Sequence, residues 1–207
     1  MLNSVTEDRD AERTRTRLSP EERRRQLLGI GLRMLVEKPI QDLPLDAVAA
    51  EAGISRGLLF HYFPTKTDYY DAVIAAALRR VLRNISPDEG AAQDEALHQF
   101  VDRFYAQIER RRSFYLALVF GNGSLSLGGD GVDTHRMTIA RRVVTATGLP
   151  EAALPVAHGW TAYVEDRALR WSGLPSDARA DRDTEVDHAC RALHALLALD
   201  GPDGENR

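Results

Sequence analysis

At 207 residues the chain is long enough to bury a sizeable core, and with 43% hydrophobic and 28% charged residues it is too apolar for disorder and ordinary for a globular protein. The single cysteine, Cys190, excludes an intramolecular disulfide. The charged N-terminus does not resemble a signal peptide and every apolar run is short, so a cytoplasmic protein without a membrane partner is expected. The net charge of −4 hides an asymmetry: residues 13–66 carry eight arginines and two lysines against six acidic groups, whereas from position 81 onward fourteen basic residues face nineteen acidic ones. One basic end on an otherwise acidic chain fits contact with a polyanion, although a solvated charged face is the common alternative.

Residues 1–18 lack apolar periodicity and read as a flexible arm ending in the basic run Arg13, Arg15, Arg17. Ser19 then forms the N-cap of a first helix, with Pro20 at its first position and Glu22 completing a capping box. Leu27, Leu28, Gly31, Met34 and Leu35 carry this helix to about Glu37, because Pro39 disfavours helical geometry at Lys38. A short second helix spans about Pro44 to Ala52 and ends at Gly53. A third runs from Ser55 to about Phe63, Pro64 breaks it, and a long fourth runs from about Lys66 to Ile85. After a polar joint the helical pattern resumes at Leu97, Phe100, Val101, Phe104 and Ile108. The segment Ser113 to Phe120 is apolar nearly all round and should lie inside. A glycine-rich loop, Gly121 to Gly131, precedes helices at about Asp133 to Thr147, Pro155 to Trp171 and Asp183 to Leu199. The predicted fold is all-α. A small N-terminal domain spans 19–66, a connecting helix 67–85, a larger bundle 86–200, and a disordered tail 201–207.

Two short helices that cross steeply need a small side chain at the contact and a residue tolerant of positive φ in the turn; Ala49 and Gly53 supply both. Val48, Ile54, Leu59 and Phe63 would form the core beneath. With Ser55 as its cap, the third helix leaves Arg56, Gly57, Leu58 and His61 on its outer and N-terminal surface, the part of a recognition helix that meets base edges. The longer pattern Ala49-Ala-Glu-Ala-Gly53-Ile-Ser-Arg-Gly57, followed by Phe60, Tyr62, Phe63 and Lys66, closely resembles the DNA-binding domain of the tetracycline-repressor (TetR) family over about residues 19–80.

That resemblance implies contacts to bases or nearby phosphates by Arg56, Leu58 and His61, and backbone contacts by Tyr62 and Lys66, with Lys66 at a helix N-terminus that itself favours phosphate. Arg13, Arg15 and Arg17 would reach an adjacent phosphate or the minor groove. Two departures stand out: Pro39 replaces the usual glycine after the first helix, and Leu43-Pro44 replaces the Ser/Thr pair usual before the second, so one capping hydroxyl and its phosphate contact are missing.

The resemblance further implies a bundle that encloses a ligand cavity and dimerises through its last two helices. Val156, Val164 and Trp171 on one, and Val186, Cys190, Leu193 and Leu197 on the other, are the interface candidates. Phe104, Phe114, Leu118, Met137, Trp160, Tyr163 and Asp166 are the pocket candidates, although aromatic residues at helical spacing are usually plain core. The expected partners are a near-palindromic double-stranded operator, a second copy of the chain and a small, largely apolar effector that releases a repressor. No cofactor or catalytic site is expected. The competing class is a di-iron bundle enzyme, because Glu95-x-x-His98 and Glu185-x-x-His188, with Glu109 and Glu165, repeat that ligand spacing; helical phase weighs against it, and solvated faces are the default. A ligand-binding protein without DNA affinity is a third reading, opposed by intact Arg56, His61 and Lys66.

Overall fold

The computed structural model describes residues 18–35, 40–119 and 131–199, apart from the side chains of residues 41, 117–119 and 131–133, and its longer elements are all α-helices. They are α1 (Pro20–Met34), α2 (Leu45–Glu51), α3 (Arg56–Tyr62), α4 (Lys66–Ile85), α5 (Gln93–Val119), α6 (Gly131–Thr147), α7 (Leu154–Gly173) and α8 (Arg182–Leu199). The predicted arm with Arg13, Arg15 and Arg17, the Leu118 side chain, most of the glycine-rich loop and the C-terminal tail lie outside the described residues.

Local chemistry sets the helix ends. At α1 the Ser19 hydroxyl accepts from the Glu22 amide while the Glu22 carboxylate accepts from the Ser19 amide, so two N–H groups that have no partner inside the helix are satisfied. Thr65 and Asp68 repeat the device at α4. Helix α2 begins at Pro44 with no side-chain cap, as the missing hydroxyl predicts. It ends in a Schellman turn: Gly53 takes φ +66, its amide donates to Ala50, and the Ile54 amide donates to Ala49.

Helix α1 packs on α2 and α4, and α4 continues from that small N-terminal domain to pack against α5. Helix α5 is the centre of the bundle, touching α4, α6, α7 and α8. Its α-helical path breaks at Arg111 (φ −140, ψ 36), where sequence periodicity predicts two helical stretches. One continuous apolar core runs from Leu27 and Val48 through Tyr69 and Val81 to Phe104, Trp160 and Leu193. Two long-range hydrogen bonds pin α4 to the N-terminal helices: the Tyr69 hydroxyl donates to the Leu27 carbonyl at 2.8 Å, and the Tyr70 hydroxyl to the Leu43 carbonyl at 2.7 Å. No helix among the described residues is long and apolar enough to cross a membrane.

Candidate nucleic-acid interface

The α2–α3 pair is a helix-turn-helix built on the sequence features that predict it. Ala49 is buried at the crossing, Gly53 turns the chain, and Leu59 and Phe63 anchor the inner side of α3. Ser55 caps α3 by accepting from the Leu58 amide at 3.2 Å. Outward lie Ser55, Arg56, Gly57, Leu58 and His61, all exposed, and Leu58 keeps 40% of its surface in solvent. Tyr62 is half-buried, and its ring meets that of His61 edge-on at 5.6 Å. Lys66 opens α4 just after the Thr65 cap, with its ammonium 5.1 Å from the Tyr70 ring.

Part of the local positive charge is structural. The Arg23 guanidinium donates to the carbonyl of Ala52 at the end of α2, and that of Arg24 donates to the Tyr62 carbonyl at the end of α3 while covering the Phe63 ring at 4.3 Å. Both therefore satisfy helix C-terminal carbonyls. Spacing along α1 shows only that these arginines are on its polar side. Arg56 is exposed but not idle: it forks onto both oxygens of Asp46 at 2.9 Å. That carboxylate orients the guanidinium.

Residues 27–73 match the model of the bacterial regulatory proteins of the tetR family. Over this N-terminal stretch the chain is similar to that family. The regulator BetI of Brucella canis is 35% identical over 74 residues, covering 36% of this chain and 35% of BetI. The regulator LuxR of Vibrio harveyi is 37% identical over 73 residues, covering 35% and 36%. The chain thus matches about a third of the length of these curated relatives. Over the whole fold it is similar to a solved tetR-family regulator from Streptomyces coelicolor, with a TM-score of 0.63 at 23% identity, covering 86% of this chain and 83% of that one. These relatives are transcriptional regulators.

Among the described residues the pocket candidates are spread over several places in the bundle. Phe104 and Trp160 are buried together with Ile139 and Val164 in a seam too tight to hold a ligand. Phe114 faces α4 instead, and Met137 is half-buried on α6. Tyr163 and Asp166 correct the prediction: both are exposed, Tyr163 meeting His188 at 2.6 Å and Asp166 pairing with Arg170 at 2.8 Å. The helix they share turns its inner face through Trp160, Val164 and Ala168, which leaves them on the outside.

Among the buried polar groups, one carboxylate is held in a network that helical spacing does not reveal. Glu165 is 1% exposed and accepts from the Tyr115 hydroxyl at 2.7 Å and from both Nε and Nη2 of Arg136 at 2.7 and 2.6 Å. His135 Nε2 lies 3.3 Å from the same hydroxyl. Burial, and then the neighbouring carboxylate, hold the Tyr115 hydroxyl well above its ordinary range. Burial, and then Arg136, push His135 down to about 4, so it is neutral near pH 7.

Four of the interface candidates are also corrected. Val164, Trp171, Val186 and Leu193 are buried within their own protomer, because the Trp160 indole donates to the Ala189 carbonyl and the Trp171 indole to Ala180, which closes α7 and its following loop onto α8. Val156, Cys190 and Leu197 are half-buried. The apolar surface left open is a groove of about 670 Å³ between α7 and α8, lined by Val156, Gly159, Tyr163, Ala195, Leu196 and Leu199 among others.

The carboxylates of the di-iron reading are engaged elsewhere. Arg167 and Tyr105 donate to Glu185, Arg179 and Arg182 to Glu109, Arg136 and Tyr115 to Glu165, and Gln99 to Glu95. No group of three or more His, Cys, Asp or Glu side chains among the described residues is placed to hold a metal ion.

Proposed function

We propose that the protein regulates transcription by binding a near-palindromic operator as a homodimer, acting as a repressor released by a small, largely apolar effector. The observation that carries the DNA-binding part is the exposed N-terminal surface of α3, with Arg56, Gly57, Leu58 and His61 presented by a capped helix-turn-helix inside a TetR-family domain. Arg56 and His61 read base edges, Tyr62 and Lys66 hold the backbone, and the α4 N-terminus adds its amides to the same phosphate. Arg13, Arg15 and Arg17 extend the contact into a neighbouring groove.

The open α7–α8 groove supports dimerisation, since an apolar surface of this size on the final two helices suits a second copy related by a twofold axis. Twofold symmetry places the two α3 helices roughly 34–36 Å apart, or a multiple of that, on one face of the duplex. Effector control rests on the family resemblance and on the continuity of α4, which packs on α1 at one end and on α5 at the other. A coupling of about 1–3 kcal/mol between effector and operator changes affinity roughly 5- to 150-fold.

The test is selection of a binding sequence from a random duplex pool by the purified protein, followed by titration of the enriched site. Lys66→Ala should weaken binding about equally on all sequences and lower the salt slope by about one unit, whereas Arg56→Ala should also relax base preference. Failure to enrich any sequence, or unchanged affinity in both variants, refutes the assignment.

A further inference from the structure

Most arginines of the bundle have an oxygen partner: Arg103, Arg136, Arg167, Arg179 and Arg182 each pair with a carboxylate. Six do not: Arg142 on α6, Arg79, Arg80 and Arg83 on α4, and Arg110 and Arg111 on α5 are exposed and make no ion pair or side-chain hydrogen bond among the described residues. Three of these, Arg80, Arg110 and Arg111, are close together. Arg80 and Arg111 line one narrow cleft with Leu32, Asn84, Gln107 and Phe114, and Arg110 and Arg111 line the adjoining one. The carboxylate nearest in sequence, Glu109, is already held by Arg179 and Arg182.

The break in α5 makes the arrangement. Arg111 leaves helical geometry, and beyond it Phe114 stands in the cleft beside Arg80 of α4. An uncompensated group of three guanidinium ions lowers the stability of the fold by self-repulsion, and such departures from local charge balance are kept where function uses them. Operator phosphates cannot be the compensating charge. Arg80 lies fourteen residues beyond Lys66 on α4, about 21 Å along the helix at 1.5 Å per residue, which is more than twice the Debye length of about 8 Å at physiological salt.

We infer that the exposed mouth of this cleft, where it meets the open adjoining one of about 590 Å³, binds an organic phosphate. Guanidinium forks on two helices match the oxygens of a polyphosphate, and Phe114, half-buried at the cleft wall, offers an aromatic face to the group that carries it. Leu32 of α1 lines the same cleft, so a bound anion joins the DNA-binding helices to the bundle at a point separate from the bundle interior.

Calorimetric titration of the full chain with tripolyphosphate and with ATP tests the site. Both probes should bind wild type. An Arg80→Gln/Arg111→Gln variant should bind each at least about tenfold more weakly, with a melting temperature no lower than that of wild type because both side chains are on the surface and their mutual repulsion is relieved. Phe114→Leu should weaken ATP and spare tripolyphosphate, and Arg142→Gln, an exposed arginine on α6, should change neither. The inference is overturned if neither probe binds at about 10 mM, far above typical metabolite affinities, or if the double variant binds as wild type does. It is also overturned if Arg56→Gln abolishes binding while the double variant retains it, because the anion then occupies the DNA-contacting face. None of these outcomes depends on whether an operator is found.

Discussion

Gly31 is the narrowest point in the joint between α1 and α4, and replacing it by alanine should separate packing from propensity. A methyl group built there would lie 2.5 Å from the Tyr69 hydroxyl and 2.6 Å from Val73 Cγ2. Neither neighbour can retreat freely: both are fully buried, and the Tyr69 hydroxyl holds the Leu27 carbonyl. Overpacking of this kind costs about 1–3 kcal/mol, and loss of the buried hydrogen bond adds about 1 kcal/mol, against a gain of about 1 kcal/mol from helix propensity. Gly31→Ala should therefore destabilise by about 1–3 kcal/mol and lower the melting temperature by roughly 2–12 °C for a chain of this size. Two residues earlier in the same helix, a methyl at Gly29 would meet only the end of Arg33, at 3.9 Å. Gly29→Ala should stabilise by about 0.5–1 kcal/mol through propensity alone. Urea and thermal unfolding of the two variants side by side are the assay. A Gly31→Ala protein as stable as wild type would refute the close-packing argument, and equal shifts in both variants would mean that the α1–α4 contact is looser than described. Since this joint also seats α4 beneath Lys66, Gly31→Ala should weaken DNA binding as well.

Between about pH 6.5 and pH 4 the unfolded chain protonates His135 while the folded chain does not, so the unfolded state binds more protons and stability falls as pH falls through this window, by up to about 1.4 kcal/mol per unit. His135→Gln should flatten that part of the stability profile in acid-titrated urea melts; an unaltered slope would show that His135 is not held neutral. Leu196→Arg places a charge in the open α7–α8 groove and should yield a folded monomer in sedimentation with lowered operator affinity, whereas a persistent dimer would locate the interface elsewhere. Asp46→Asn removes the carboxylate that holds Arg56 and should tighten non-specific DNA binding several-fold at low salt; weaker binding would mean that Asp46 positions the guanidinium productively.

The helix-turn-helix was legible in the sequence because its determinants are local. The Ser19–Glu22 box, the Ser55 cap and the positive φ of Gly53 each depend on residues within four or five positions, and the all-α fold follows from apolar periodicity. Periodicity also showed that α7 and α8 bury a stripe, but a stripe does not say what it is buried against. Tertiary packing decided that Val164, Trp171, Val186 and Leu193 face their own core, leaving Val156, Leu196 and Leu199 at the open groove. It decided that Glu165, spaced like a metal ligand, instead meets Arg136 and Tyr115, which lie 29 and 50 residues away. It likewise decided that Arg80 and Arg111 share a cleft, which depends on a break in α5 that the run Arg110-Arg111-Arg112 does not announce. Capping and turn geometry are short-range and stay attached to the residues that make them, whereas the partner of a buried charge or the occupant of an apolar face is set by the crossing of helices distant in the chain.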